Sequence, residues 1–150
     1  MSGTLYLCAT PIGNLGDITL RVIEILKTVD IIAAEDTRNT LKLLNHFEIK
    51  TPMTSYHQHN YAVKGPQLIE KLKAGENIAL VTDAGMPGIS DPGEDMAKRC
   101  REEGIPVTIA PGASAGISAL VLSGMDARRY VFEGFLPVDK KERAAVLKNL

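Results

Sequence analysis

The sequence predicts an α/β fold, a mostly parallel sheet with helices on both faces, and two observations carry that expectation. Short apolar runs at 4–9, 30–34 and 78–81 alternate with segments whose apolar residues recur at helical spacing. Apart from Thr4 and Asp30 at their starts the runs are apolar, as in parallel strands covered on both sides, and such strands need a helical crossover between them.

The elements follow in order. A strand at 4–9 leads to a helix at 18–27 with Val22, Ile25, Leu26 and Val29 on one side, then a strand at 30–34. Asp36 is a helix cap for 37–46, and a short strand follows at 53–56. Asn60 is in position to cap a helix that points Leu68, Ile69 and Leu72 inward and stops at Ala74-Gly75. After the strand at 78–81, Asp91-Pro92 offers an N-cap and a proline at the first helical position for a helix reaching Glu103-Gly104. A strand at 107–110 precedes a helix at 114–123, which is built of small and apolar residues and is therefore expected to be buried against the sheet. The pattern changes after residue 133. We read 1–133 as one α/β domain, 134–138 as a linker, and 139–150, where Asp139 caps a charged helix, as the start of a second domain that is truncated.

Composition narrows the function. At 150 residues, 45% hydrophobic and 23% charged, the chain matches a soluble globular domain. It has no long apolar run and no signal-peptide start, so a cytoplasmic location is expected. Cys8 and Cys100 form no CxxC pair and are read as buried free thiols. A net charge of −1 disfavours a generic polyanion binder. Arg128, Arg129, Lys140, Lys141, Arg143 and Lys148 nonetheless make the last quarter basic, either as a solvated face or as an RNA contact.

Loops after parallel strands gather at one sheet edge, where ligands bind. Four loops here are unusual: 9–17, rich in turn residues; Glu35-Asp36-Thr37-Arg38; the glycine loop 82–93 with Asp83 and Asp91; and Pro111-Gly112-Ala113-Ser114-Ala115. Together they are expected to form a concave wall for a nucleotide-like ligand. Neither G-x-G-x-x-G nor the P-loop pattern is present, and without G-x-S-x-G neither Ser90 nor Ser114 reads as a nucleophile.

Six segments, in this order, carry a resemblance: Thr10-Pro11-Ile12-Gly13-Asn14-Leu15-Gly16-Asp17-Ile18-Thr19, Ala34-Glu35-Asp36-Thr37-Arg38, Ser55-Tyr56-His57-Gln58-His59-Asn60, 83–93, 111–115 and Phe135-Leu136-Pro137. The chain resembles the amino-terminal part of the RNA-modifying branch of the tetrapyrrole (corrin/porphyrin) methylases. The resemblance implies a two-domain enzyme, usually a homodimer, that binds S-adenosyl-L-methionine between its domains. It implies 2'-O-methylation of a cytidine ribose in small-subunit ribosomal RNA. Carried over by motif, the cofactor set is Pro11, Asp83, Ala84, Gly85, Pro87, Ile89, Ser90, Ser114 and Ala115. The first loop reads Thr-Pro-Ile-Gly-Asn in place of Gly-x-Gly-Pro-Gly, and the third reads Asp-Ala-Gly-Met-Pro in place of Gly-Asp-Pro. Both departures favour RNA over a tetrapyrrole or precorrin methylated on carbon, the alternative substrate class.

Moving a methyl group to a ribose hydroxyl requires in-line alignment and removal of a proton. Glu35, Asp36, Arg38 and His57 are the catalytic candidates, with Arg38, His59 and Asn60 to hold substrate. Each has a plainer reading: Asp36 as a helix cap, Arg38 as a solvated first-turn residue, the histidines as loop residues. His46, His57 and His59 lack further ligands at zinc-type spacing, so no metal is expected.

Overall fold

The computed structural model describes residues 1–91 and 93–150. Five strands, β1 (Leu5–Cys8), β2 (Ile31–Ala34), β3 (Met53–Ser55), β4 (Ile78–Val81) and β5 (Val107–Ala110), form one sheet in the order β3-β2-β4-β1-β5. Every pairing is parallel, as the apolar runs require. The helices are α1 (Leu20–Thr28), α2 (Thr37–His46), α3 (Tyr61–Lys73), α4 (Gly93–Glu102), α5 (Ala115–Leu122) and α6 (Lys140–Asn149).

Two apolar layers hold the sheet. On one face Val22, Ile25 and Leu26 of α1 and Leu44 of α2 pack over Cys8, Ile32, Ala34 and Val81. On the other, Leu68 and Leu72 of α3 with Met96 and Cys100 of α4 pack over Leu5, Ala33, Ile78 and Leu80. Both cysteines are buried and free. Tyr56, 1% exposed, donates its hydroxyl proton to Asp95 Oδ2 at 2.8 Å, and Arg99 Nε donates to the same oxygen at 2.7 Å. This joins the end of β3 to α4 by a charge-assisted hydrogen bond beneath the ligand edge.

Capping works locally as the side chains dictate. Thr19 Oγ1 accepts from Val22 N, Asp36 Oδ1 from Arg38 N, and Asp139 Oδ1 from Lys141 N and Glu142 N. Asn60 departs from expectation. It occupies the cap position of α3 without bonding to it, because its Oδ1 accepts from His57 N and its Nδ2 donates to Ser55 Oγ. The proline expected to open α4, Pro92, lies outside the described residues.

The largest correction concerns α5, which buries none of its residues; Val121 is 71% and Leu122 86% exposed. The edge strand before it, β5, also leaves Val107 and Ile109 partly exposed. Apolar composition reports that a surface needs covering, and no described residue covers this one enough to bury it. Helix α6 likewise buries no residue. No helix among the described residues is long and apolar enough to cross a membrane.

Candidate functional site

The carboxyl ends of β1, β4 and β5 lie side by side, so the loops that follow them meet. Thr10 N donates to Gly85 O and Gly85 N to Thr10 O, both at 3.0 Å, a two-bond bridge tying the first loop to the glycine loop. Gly85 has φ +82°, and a Cβ there would stand 3.2 Å from Ile12 Cγ2 and 3.3 Å from the Ala113 carbonyl oxygen. Three loops therefore converge at a point where only glycine fits. Five residues on, Ser90 holds φ +58° with a side chain, the kind of backbone strain that collects at ligand sites.

Three cavities open around this convergence. The large one, about 780 Å³, runs from Ala84, Gly85, Met86, Ile89, Ser90 and Asp91 across Ser114, Ala115, Gly116, Ile117 and Leu120 to the aromatic segment 130–135. Its size suits a cofactor, and its walls are apolar with a few polar groups. Six of the residues assigned to the cofactor line it: Ala84, Gly85, Ile89, Ser90, Ser114 and Ala115. Ser114 sits at the cap position of α5 but makes no cap hydrogen bond, leaving its hydroxyl for another partner. A small cavity of about 250 Å³ takes Pro11 and Asp83 instead, between the first loop and α2. Pro87 lines none of the three.

The third cavity, about 640 Å³, shares Ser90, Asp91 and Phe135 with the large one and adds Glu35, Gln58, Tyr61, Glu94, Asp95 and Lys98. Its field is negative. Burial pushes the Asp91 carboxyl above its usual value, and the charges of Glu35 and Asp83 push the same way. Glu35 Oε2 accepts from Asp83 N at 3.2 Å, which joins the second and third loops. A positive charge brought beside Asp91 would stabilise its ionised form. That fits a sulfonium cofactor in the adjoining large cavity. No group of three or more His, Cys, Asp or Glu among the described residues is arranged to hold a metal ion.

The remaining candidates separate by what their polar atoms already do. Asp36 caps α2 and takes the Arg38 guanidinium on both oxygens, at 3.1 Å from Nε and 2.8 Å from Nη2, which holds its carboxyl down at about 2. A carboxylate that acidic is a weak base, and in this structure Asp36 and Arg38 are engaged with each other. His57 Nδ1 accepts from His59 N at 3.3 Å within one loop, and neither histidine lines any of these three cavities. Asn60 spends its amide on Ser55 and His57. Of the proton acceptors named from sequence, Glu35 alone faces a cavity.

Tyr130, Phe132 and Phe135 were not among the sequence-assigned site residues. The signal was present: they cluster in 130–135 of a chain with only four Tyr and three Phe. Asp91 is named with the glycine loop but reads as a helix cap and stands outside the assigned site residues.

Comparison with known proteins follows from this geometry. The family model described as Tetrapyrrole (Corrin/Porphyrin) Methylases matches residues 4–149. A protein of Synechocystis sp. named ribosomal RNA small subunit methyltransferase I is 57% identical over 148 residues, covering 99% of this chain and 53% of that one. One of the same name from Haemophilus influenzae is 53% identical over 150 residues, covering 100% of this chain and 53% of the relative. The chain thus spans about half the length of the curated relatives it matches. Among crystal structures, uroporphyrin-III-C-methyltransferase from Thermus thermophilus superposes with a TM-score of 0.65 at 21% identity, over 94% of this chain and 56% of that one. Diphthine synthase superposes with a TM-score of 0.71 at 16% identity, over 86% and 52%. At such identities these two establish a shared fold.

Proposed function

This chain belongs to the tetrapyrrole (corrin/porphyrin) methylase family, and on that premise we propose that it forms part of an S-adenosyl-L-methionine-dependent methyltransferase acting on a cytidine 2'-hydroxyl of small-subunit ribosomal RNA. The observation that carries the reading is identity above half, along nearly the whole chain, to proteins named for small-subunit ribosomal RNA methylation. The large cavity supports it, since six residues assigned to the cofactor by motif surround one space of suitable size.

In this reading the cofactor lies in the large cavity and supplies an electrophilic methyl group on positive sulfur. A ribose hydroxyl aligned with that methyl group would give up its proton to a carboxylate of this chain. Glu35 is the acceptor that the geometry favours, at the edge of the acidic cavity with Ser90 and Asp91 between it and the cofactor space. Asp91 and Asp83 add negative charge that favours cofactor binding. Alignment supplies much of the rate, so a weak base suffices. Residues 1–133 are the first domain, 134–138 the linker and 139–150 the beginning of a second, and the whole protein acts in the cytoplasm as a homodimer without a metal.

Calorimetric titration of S-adenosyl-L-methionine into this chain, and in parallel into the full-length Haemophilus influenzae relative, tests the reading. Saturable binding to both is the expected result, weaker for the shorter chain. Binding to neither overturns the cofactor assignment.

A further inference from the structure

We infer that the third cavity seats the target base itself, and that Asp95 there selects a base carrying an exocyclic amine, cytosine in the RNA reading, over uracil. The inference rests on the RNA reading above and deepens it with a substrate subsite and a specificity-determining residue.

The cavity adjoins the one assigned to the cofactor. Ser90, Asp91 and Phe135 line both, so a molecule in the third cavity meets one in the large cavity along that boundary. Glu35, the proposed proton acceptor, lines the third cavity and not the large one, which puts it on the side of the group that loses a proton. Two aromatic rings stand in the wall with little cover: Tyr61, the first residue of α3, is 39% exposed and Phe135 88%. Unstacked bases are held on such rings and read by hydrogen bonds along their edges.

Asp95 supplies the edge contact. The Tyr56 hydroxyl and Arg99 Nε both donate to its Oδ2, at 2.8 and 2.7 Å, while Oδ1 takes no hydrogen bond among the described residues. Arg99 is itself held by packing, since a Cβ added to Gly65 of α3 would stand 2.9 Å from its Nε. The Asp95 side chain is 31% exposed in the cavity wall, so a carboxylate fixed through one oxygen has the other to offer a ligand. Cytosine presents an N4 amine that donates to a carboxylate; uracil presents an O4 acceptor at the same place, which a carboxylate repels. The neighbouring charges agree. Glu35, Asp91 and Glu94 outweigh Lys98, a field that favours a donor edge and leaves the phosphates of the strand outside.

The test is a nitrogen-15 chemical-shift titration of the chain, first with S-adenosyl-L-homocysteine alone, then with cytidine and with uridine while that compound is saturating and fills the large cavity. Cytidine is expected to move the amides of Glu35, Tyr61, Glu94 and Asp95 and to bind about tenfold tighter than uridine, the worth of one edge contact in a partly open site. In Asp95→Asn the two donors hold the amide oxygen and turn the NH2 group to the cavity, so the order is expected to reverse in favour of uridine. Tyr61→Ala removes an exposed ring and is expected to weaken both nucleosides alike, by about tenfold. Equal affinity for the two nucleosides, a cytidine preference that survives in Asp95→Asn, unchanged binding in Tyr61→Ala, or no shifts at millimolar cytidine would each overturn the subsite. Should Asp95→Asn fail to fold, the preference of the unaltered chain and the Tyr61→Ala result still decide it. If S-adenosyl-L-homocysteine binds and cytidine does not, the subsite fails and the methyltransferase reading stands; if S-adenosyl-L-homocysteine does not bind, that reading fails and the subsite with it.

Discussion

Of the three glycines that line the large cavity, Gly85 and Gly116 are given opposite responses by the structure to the same added methyl group. At Gly85, alanine must adopt φ +82°, which costs about 1–2 kcal/mol for an L-residue. The new Cβ also presses Ile12 Cγ2 at 3.2 Å and the Ala113 carbonyl at 3.3 Å, and the second of these is backbone that cannot rotate away. Since the Gly85 amide and carbonyl both bond to Thr10, relaxing the clash by moving residue 85 breaks the bridge between loops. Together these put Gly85→Ala at about 2–3 kcal/mol of destabilisation. For a chain of this size that is a fall in Tm of about 4–12 °C. At Gly116, inside α5, an added Cβ meets nothing within 4 Å. There the higher helix propensity of alanine predicts a gain of up to about 1 kcal/mol. Thermal unfolding of the two variants, followed by circular dichroism against the unaltered chain, decides the matter. A Gly85→Ala protein that melts with the unaltered chain, or a Gly116→Ala protein that loses as much stability as Gly85→Ala, refutes the claim that residue 85 is where the loops lock.

Three further outcomes are expected. Tyr56→Phe removes one of two donors to Asp95 Oδ2; Arg99 remains and water reaches Asp95, so the loss is about 1–2 kcal/mol, read from urea denaturation. On the acid side, Asp36 is held down at about 2 from an ordinary 3.8, so its contribution is complete above pH 4 and lost as pH falls towards 2. Asp36→Asn keeps a capping oxygen but removes that dependence, and melts across this range will show a flatter acid limb. On the alkaline side, burial pushes Cys8 up to about 12 and Cys100 up to about 11, from an ordinary 9.0. The unfolded chain releases those protons first, so stability falls as pH rises through 9, and a Cys8→Ala, Cys100→Ala protein loses that slope in denaturant titrations at pH 7 to 10.

The parts of the fold that rest on local chemistry were legible. Strand 78–81 was readable because four consecutive apolar residues bounded by turn signals have few other uses, and α2 because Asp36 stands in front of it. The end of α4 at the Glu103-Gly104 step was equally plain, because Gly104 takes the positive φ that follows a helix. Side chains with two possible uses were not legible. Asn60 is as good a cap as Asp36 by type, yet its oxygen turns back to His57 N, a choice made by the Ser55 hydroxyl that strand β3 brings within 3.1 Å. Sequence supplies the donors and acceptors, while the sheet decides which of them meet.

The same division explains the site. Motif order grouped Pro11 and Asp83 with Ala84 to Ser90 as one cofactor wall, since adjacent residues on one loop read as one surface. That wall is divided beside the Thr10–Gly85 bridge: the first loop with Thr82 and Asp83 faces α2 and the small cavity, and the glycine loop from Ala84 on faces α5 and the large one. A single step of chain, Asp83 to Ala84, crosses from one space to the other. Glu35 reaches across the same boundary to the Asp83 amide, so the acceptor proposed for the proton is fastened to the residue that divides the two spaces. Glu35→Gln keeps an oxygen for the Asp83 amide and loses the charge. In the full-length relative, at its matching residue, it should leave cofactor affinity nearly unchanged while slowing methyl transfer to small ribosomal subunits at least tenfold. Equal loss of binding and rate would make the carboxylate a cofactor contact, and no loss of either would leave proton removal to solvent.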